Sequence, residues 1–271
     1  MENTSDLPDY DNPPVDEVVC GILFAELGKV CVPHFGQLWE VYRPEYSICK
    51  DVTPLLPTVE RFDETPSAEV SFSEVPPLPR VWFIHSDDTK IIQVQRDRFL
   101  HNWRRGKQGV SYPRYPFVIE AFREQFTKFQ SFLAASDLGE VAPIQYEMTY
   151  INQIPKGEGW SSIADLGTVF PDFCFRPQEH RFLPAPEGLN VRASYLLPGG
   201  VGRLHATIRS AVRRVDNRPI VLFELTARGI GPTNTLDAIW TWFDLAREWI
   251  VRAFTDLTSE HMHKNVWRRQ R

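Results

Sequence analysis

Alternate positions on three predicted strands carry side chains that could do acid–base chemistry. The three sets are Gln145, Glu147 and Thr149, then Arg203, His205 and Thr207, then Glu224, Thr226 and Arg228. Since alternate residues share one face of a strand, adjoining strands in matching register would bring Glu147, His205 and Glu224 together beside an arginine. These groups could serve as base, acid and anion clamp. A solvated sheet face with cross-strand ion pairs explains the same pattern, so no catalytic residue is assigned and the three remain candidates.

A basic and aromatic cluster between residues 96 and 107 offers a second kind of chemistry. Arginines neutralise phosphates while aromatic rings stack on bases, and tryptophan with arginine is also favoured at protein interfaces. The C-terminal tail repeats the combination. A partner-binding surface is therefore predicted from Arg96, Arg98, His101, Trp103, Arg104, Arg105, Lys107, Trp267 and Arg268. The alternative is that Phe99, Leu100 and Trp103 enter the core while the charges are solvated.

Motifs for nucleophiles, phosphate loops and metals are missing from the sequence. It contains no GxSxG, GxxxxGK[ST] or HExxH. His261 and His263 are two positions apart, and Ser259 resembles the N-cap of a short helix that would separate them. Two histidines without a third ligand fall short of a zinc site. The sequence therefore predicts neither a metal nor a cofactor.

The composition describes a chain able to bury a large core. Its 271 residues are 42% hydrophobic, and 30 basic against 35 acidic residues give a net charge of -5. This balance argues against a general nucleic-acid coat, so any site for a polyanion must be local. The first residues are acidic and the last are basic, and these ends could attract one another or a partner, or simply be solvated.

The sequence shows no signal for secretion or membrane insertion, and this favours the cytoplasm. The four cysteines form no CxxC pair, and the N-terminus has neither the basic nor the apolar region of a secretion signal. No apolar run approaches the roughly 20 residues of a membrane helix. We therefore expect a cytoplasmic protein with reduced thiols and no membrane association.

Hydrophobic periodicity gives the order of the elements. In the first half it predicts a strand over 18–26, a helix over 34–42, a proline-rich irregular loop over 44–79, and strands over 81–85 and 91–94 joined by a hairpin turn. A helix then carries an apolar stripe at Phe122, Phe126, Phe129 and Leu133. In the second half it predicts strands over 144–154, 191–196, 203–211 and 220–227, a short helical piece over 162–170, and a long helix over 236–257.

The fold class that follows is α+β, with antiparallel sheet or sheets and long amphipathic helices packed on one face. The two halves read alike, which suggests a tandem duplication of a β-α-β-β-α unit. The halves would be 1–138, with the loop 44–79, and 139–271, with the long helix 235–257 and the basic tail. A single α+β domain is equally compatible with the pattern.

Five segments carry a family resemblance: NPPVDEV at 12–18, QVQRDRFLHNW at 93–103, YPRYP at 112–116, TYINQI at 149–154, and FTDLTSEHMHKNVW closing the long helix. With them the chain resembles a sporadically distributed bacterial protein family of similar length, over nearly its whole span. The resemblance brings no catalytic residue. Its patchy distribution implies an accessory bacterial locus, such as a mobile island, a toxin–antitoxin module or phage defence.

The functional hypothesis is a non-enzymatic cytoplasmic bacterial protein that binds a macromolecular partner, above all another protein, through the basic and aromatic surface. Two alternatives stay open. The same surface could bind nucleic acid, or the polar sheet face could serve a small-molecule binder or enzyme. The sequence leaves the oligomeric state open.

Overall fold

In this computed structural model, which describes residues 7–56, 58–60, 78–106, 109–175, 182–231 and 236–271, nine strands form one sheet. The strands are β1 (Val15–Phe24), β2 (Ile48–Val52), β3 (Arg80–Ile84), β4 (Lys90–Gln95), β5 (Arg98–Arg104), β6 (Pro143–Pro155), β7 (Asn190–Leu196), β8 (Gly202–Val212) and β9 (Pro219–Gly229). The α-helices are α1 (Val32–Tyr42), α2 (Tyr115–Ala135) and α3 (Leu236–Leu257), with 3-10 turns at Ile163–Thr168 and Pro198–Gly200 and a π-helical turn at Met262–Val266.

The strand order across the sheet is β2-β3-β4-β5-β1-β6-β9-β8-β7, and every neighbouring pair is antiparallel. The expected α+β class is confirmed. In this order the five strands of the first half of the chain are neighbours, and the four strands of the second half follow them. The pairing of β1 with β6 joins them at the centre.

Most predicted elements agree with the structure, and two strands were not predicted. β2 lies inside the stretch 44–79 that was expected to be irregular, and four of its five residues are exposed. It is an edge strand with no apolar alternation, which explains why periodicity missed it. Residues 57 and 61–77 of that stretch lie outside the described residues. The second addition is β5, which occupies most of the predicted basic surface.

Strand alternation places aromatic and aliphatic side chains on one side of the sheet. Ile22 of β1 faces Phe99 on β5 and Tyr146 on β6, and all three are fully buried. The aromatic rings of α2 and α3 contact this side: Phe129 stacks on Phe99 with ring centroids 5.1 Å apart, and Phe243 lies 6.1 Å from Tyr146. Burial of these rings supplies much of the driving force for folding.

The helical stripes predicted from sequence are buried. On α2 these are Phe122, Phe126, Phe129 and Leu133, and on α3 they include Ile239, Phe243, Ala246 and Ile250. The two helices touch where Phe122 meets Phe243 edge to face, with centroids 5.3 Å apart. In the part of the chain that the structure describes, no helix combines the length and the apolar character needed to cross a membrane.

Residues 10–12 pair with residues 267–269 near the other end of the chain. Tyr10 forms a β-bridge with Arg269, and the backbone N–H groups of Asp11 and Asn12 donate to the carbonyls of Arg268 and Trp267. The bonds that hold the ends are thus mainly between backbone groups. Trp267, whose carbonyl takes part in this pairing, is 1% exposed.

We predict that Phe243→Ala lowers the free energy of unfolding by about 3–5 kcal/mol, because it removes a fully buried ring and leaves a cavity between α2, α3 and the sheet. Denaturant unfolding measures the change. The matched control is Phe117→Ala on α2, where the ring is 70% exposed and the cost should stay within about 0.5 kcal/mol. Equal losses in both variants would contradict the packing described.

Candidate functional site

The side of the sheet opposite the buried rings is polar along β6, β9 and β8. We call it the polar face, and it is defined by Gln145, Glu147, Thr149, Arg203, His205, Thr207, Glu224, Thr226 and Arg228. Glu147 faces Arg228, which donates to its carboxylate at 2.5 Å. Thr149 and Thr226 are hydrogen-bonded at 2.9 Å in the next row. The register that would bring the sequence-predicted side chains onto one face is therefore present.

The three catalytic candidates have different surroundings on this face. The carboxylate of Glu147 forms an ion pair with the guanidinium of Arg228. Glu224 accepts a hydrogen bond from Thr226 at 3.3 Å and faces Thr207 across the strand gap. His205 faces Thr226 and bonds neither of the two glutamates. The structure thus brings the three onto one face and gives each a different partner.

The partner of His205 is Glu60, which comes from the proline-rich stretch. His205 Nε2 lies 2.6 Å from Glu60 Oε1, and Arg203 donates to Oε2 at 2.9 Å. The Glu60 side chain is only 10% exposed, so this carboxylate is held by a histidine and an arginine in a largely dehydrated position. Charge-assisted hydrogen bonds of this kind are about twice as strong as neutral ones.

Two glutamines fix the backbone on either side of residue 57. Gln95 on β4 accepts from the N–H of Leu55 at 3.0 Å and donates to its carbonyl at 3.1 Å. Gln145 on β6 accepts from the N–H of Glu60 and donates to the carbonyl of Thr58, both at 2.8 Å. Residues 55, 56 and 58–60, called here the crossing segment, therefore run from β4 past β6 to β8 over the polar face.

His205 also contacts Ser194, which lies opposite it on the edge strand β7. Ser194 Oγ is 2.8 Å from His205 Nδ1, and Arg192 Nη2 is 3.3 Å from the same nitrogen. A guanidinium can only donate, so Nδ1 accepts and the ring proton sits on Nε2, where it points at Glu60. The hydroxyl of Ser194 then donates to Nδ1. Serine, histidine and carboxylate form a continuous hydrogen-bonded relay.

The protonation of Glu60 follows from these contacts. Burial by itself raises the pKa of a carboxyl, but the hydrogen bonds from His205 and Arg203 outweigh it and lower the pKa of Glu60 to about 2. The carboxylate is therefore ionised throughout the neutral range. Its charge is what the histidine and arginine recognise.

The predicted basic and aromatic surface is largely interior. Arg98, His101, Trp103 and Trp267 are 5%, 1%, 4% and 1% exposed. Burial, followed by Lys90 and His85, lowers the pKa of His101 to about 3, so its ring is neutral. Burial leaves these four positions no exposed surface for a partner: His101 and Trp103 lie with Phe99 on the side of β5 that faces the helices, and Trp267 packs against Phe254. Burial of Phe99, Leu100 and Trp103, the alternative, is confirmed.

The remaining basic residues of that prediction are mostly paired. Arg96 bonds Glu26 and the carbonyl of Gly28. Arg104 pairs with Asp88, and Arg105 donates to the backbone carbonyls of residues 13 and 15. Arg268 is exposed, and Lys107 lies outside the described residues. These arginines hold strands and termini together, so the local excess of charge does not form an open groove.

Metal ligands are not clustered in the described ranges, where no group of three or more histidine, cysteine, aspartate or glutamate side chains could hold an ion. His263 is buried and bonds Thr258 at 2.8 Å. His261 bonds Asn265 at 3.0 Å. The two histidines have separate partners, as the predicted helical turn after Ser259 requires.

Several residues of this site carried no signal in the sequence. Glu60 is one carboxylate in a proline-rich stretch, and Ser194 has no nucleophile motif around it. Gln95 is neutral and occurs at an ordinary strand position, and Gln145 belonged to the alternating polar set without any sign that it would bond a backbone. The alternation of polar residues on the three strands that became β6, β8 and β9 was the signal that pointed toward the polar face.

Comparison with known proteins gave no match: no protein-family model, no curated protein and no solved structure is significantly similar to this chain.

The low pKa of Glu60 predicts a pH-dependent contribution to stability. Because its folded pKa of about 2 is below the ordinary value of 4.5, the carboxylate stabilises the fold above pH 4.5 and loses that effect as pH falls toward 2. Glu60→Gln removes this term. The difference in unfolding free energy between wild type and Glu60→Gln should therefore be largest at neutral pH and shrink across this window, measured by urea unfolding at a series of pH values. A constant difference would mean that the carboxylate is not held as described.

Proposed function

We propose that this chain is a non-enzymatic binding protein whose polar face takes an extended, acidic segment of a protein partner. One observation carries the proposal: the crossing segment already lies there, with its backbone bonded by Gln95 and Gln145 and its carboxylate bonded by Arg203 and His205. The chain's own segment thus has the contacts that a bound peptide would have.

The contacts are of the kind that recognise peptides by backbone and by charge. A glutamine amide presents an N–H donor beside a carbonyl acceptor, so it pairs with a backbone as another strand would. Gln145 is 2% exposed with the crossing segment in place, so the backbone of that segment holds its amide in one orientation. The arginine and histidine then select a carboxylate at one position. Backbone contacts give affinity and the carboxylate gives specificity.

The internal segment acts as a competitor for such a partner. It is covalently attached, so its effective concentration at the polar face is on the order of millimolar. A partner peptide must displace it and supply an equivalent carboxylate. The proposal therefore implies weak binding to the resting protein and tighter binding once the internal contacts are loosened.

The proposal extends to the packing of the three helices and to the origin of the two halves of the chain. We infer that α1, α2 and α3 all lie on the side of the buried rings, which leaves the polar face to the crossing segment. We also infer a tandem duplication, supported by the two strand orders 2-3-4-5-1 and 6-9-8-7 that meet at β1 and β6.

Three further parts of the proposal rest on sequence alone: membership of the sporadically distributed bacterial family, a cytoplasmic site of action and an accessory locus. Nucleic-acid binding is disfavoured because Trp103 is buried and Arg104 is paired.

The test uses a fluorescent peptide of residues 53–60, TPLLPTVE, added to the whole protein. We expect Glu60→Ala to bind it roughly tenfold or more tightly than wild type, since the variant loses the anchor of the competing internal segment. Fluorescence anisotropy gives both affinities. The peptide TPLLPTVQ should bind weakly to either protein.

Two further variants make the result specific. Adding Arg203→Ala to Glu60→Ala should abolish the gain, because the peptide carboxylate then loses its arginine. The matched control Glu158→Ala removes a surface glutamate near Arg218 and should bind like wild type. If Glu60→Ala shows no gain, or if TPLLPTVQ binds as tightly as TPLLPTVE, the proposed function is wrong.

The relay from Ser194 through His205 to Glu60 favours a second candidate function, acyl transfer by a nucleophilic serine. Ser194 Oγ would attack an acyl carbon while its proton passes to His205 Nδ1, and the leaving group would take that proton before water releases the acyl group. Arg192 opposes this role. Its guanidinium lies 3.3 Å from Nδ1, where it competes for the lone pair and repels an imidazolium.

For the second candidate we expect a fluorophosphonate probe to label Ser194 and release fluoride, with labelling abolished by Ser194→Ala. Peptide mass spectrometry locates the adduct. Arg192→Met should increase the labelling rate, because the competing cation is removed while an unbranched apolar stem is kept. Absence of an adduct at Ser194 in both wild type and Arg192→Met excludes a nucleophilic serine.

A further inference from the structure

A cavity of about 90 Å³ lies on the helix side of the sheet, away from the polar face. Its floor is formed by Tyr150, Asn152 and Leu225 of the central strands. Helix α3 supplies one wall and the start of α2 another, and the N-terminal segment at 8–10 closes it. The lining is mostly aromatic and aliphatic with a few polar groups, which is the usual character of a small-molecule site.

Asn152 gives the cavity an unsatisfied acceptor. The residue is 1% exposed, and its Nδ2 donates to the carbonyl of Phe223 at 3.0 Å. That bond fixes the orientation of the amide. Its Oδ1 is buried and has no hydrogen-bond partner within the described ranges. A buried carbonyl oxygen without a donor is unfavourable, so the position suits a ligand that donates a hydrogen bond.

The tyrosines leave a donor in the same cavity. Burial raises the pKa of Tyr112 and Tyr150 well above the ordinary value, so both hydroxyls keep their protons. Their oxygens are 2.8 Å apart, and only one of the two protons can lie between them. The other is available to an acceptor. Tyr115 and Tyr10 are already bonded, to Asp244 and Thr255.

Arg247 brings a positive charge. Its guanidinium lies 4.8 Å from the ring centre of Tyr115, and the described residues provide it with no carboxylate partner. Arg114 also lines the cavity but is paired with Asp9 at 2.9 Å. An anion in the cavity would therefore meet a guanidinium and a tyrosine hydroxyl without displacing an existing ion pair at Arg247.

From these groups we propose that the cavity binds a small aromatic carboxylic acid that also carries a hydrogen-bond donor. The carboxylate would face Arg247 and the Tyr112–Tyr150 pair, the donor would satisfy Asn152 Oδ1, and the ring would lie among Tyr115, Leu225, Ile250 and Phe254. This site is separate from the polar face and does not depend on the peptide-binding proposal.

The test titrates the full chain with 4-hydroxyphenylacetate by isothermal calorimetry. We expect saturable binding, weakened roughly tenfold or more for phenylacetate, which lacks the donor, and for 4-hydroxyphenethyl alcohol, which lacks the carboxylate. Arg247→Met should weaken binding of the acid by a similar factor. The control Arg252→Met changes an arginine of the same helix that pairs with Glu248, outside this cavity, and should bind like wild type.

Val251→Phe places a ring in the cavity and provides a test that does not rely on charge. We expect it to abolish calorimetric binding while the thermal unfolding curve stays cooperative. No binding of 4-hydroxyphenylacetate at millimolar concentration overturns the proposal. Binding that is equal for the acid and the alcohol, or that persists in Val251→Phe, overturns it as well.

Discussion

The antiparallel pairing of β1 with β6 is the constraint on which the rest of the structure depends. It holds together the strands contributed by the two halves of the chain. Its register also decides which residues face the helices, because side chains alternate along each strand. A slip of one residue would turn Tyr146 outward and Glu147 inward, and every neighbouring strand would have to follow. Burial of the rings that lie beside Ile22 on the neighbouring strands therefore determines which residues form the polar face. The ion pairs on the polar face favour the same register.

The elements that could be predicted from the sequence are those that bury one continuous stripe of apolar residues. Helices α2 and α3 bury one stripe each, and the stripes at Phe122 and Phe243 follow directly from helical spacing. β5 was not predicted, because arginines between its aromatic rings suit a nucleic-acid groove as well as a strand that buries the rings. Local sequence could not decide between these readings, because the deciding fact is that α2 covers Phe99. β2 had no pattern, since an exposed edge strand buries little.

The candidate site was harder to predict because its residues meet only in the folded chain. His205 and Glu60 are 145 positions apart, and their contact depends on a segment without regular structure. Gln145 and Asn152 show the same difficulty with neutral groups on one strand. Both amides are ordinary in the sequence, yet one bonds a crossing backbone while the other has an unsatisfied oxygen beneath the opposite side of the sheet. Their roles follow from burial, which composition does not reveal.

Charge matching then determines how the polar face can select a partner. The face presents arginines, yet Arg228 is matched by Glu147 and Arg203 by Glu60, in a chain whose net charge is -5. Binding an acidic partner there would exchange one carboxylate for another, and the number of ion pairs would stay the same. The free energy of binding is consequently a difference between two similar sets of contacts. Changes in the anchoring of Glu60 should therefore shift that difference strongly, because the internal carboxylate and the partner's carboxylate compete for the same arginine and histidine.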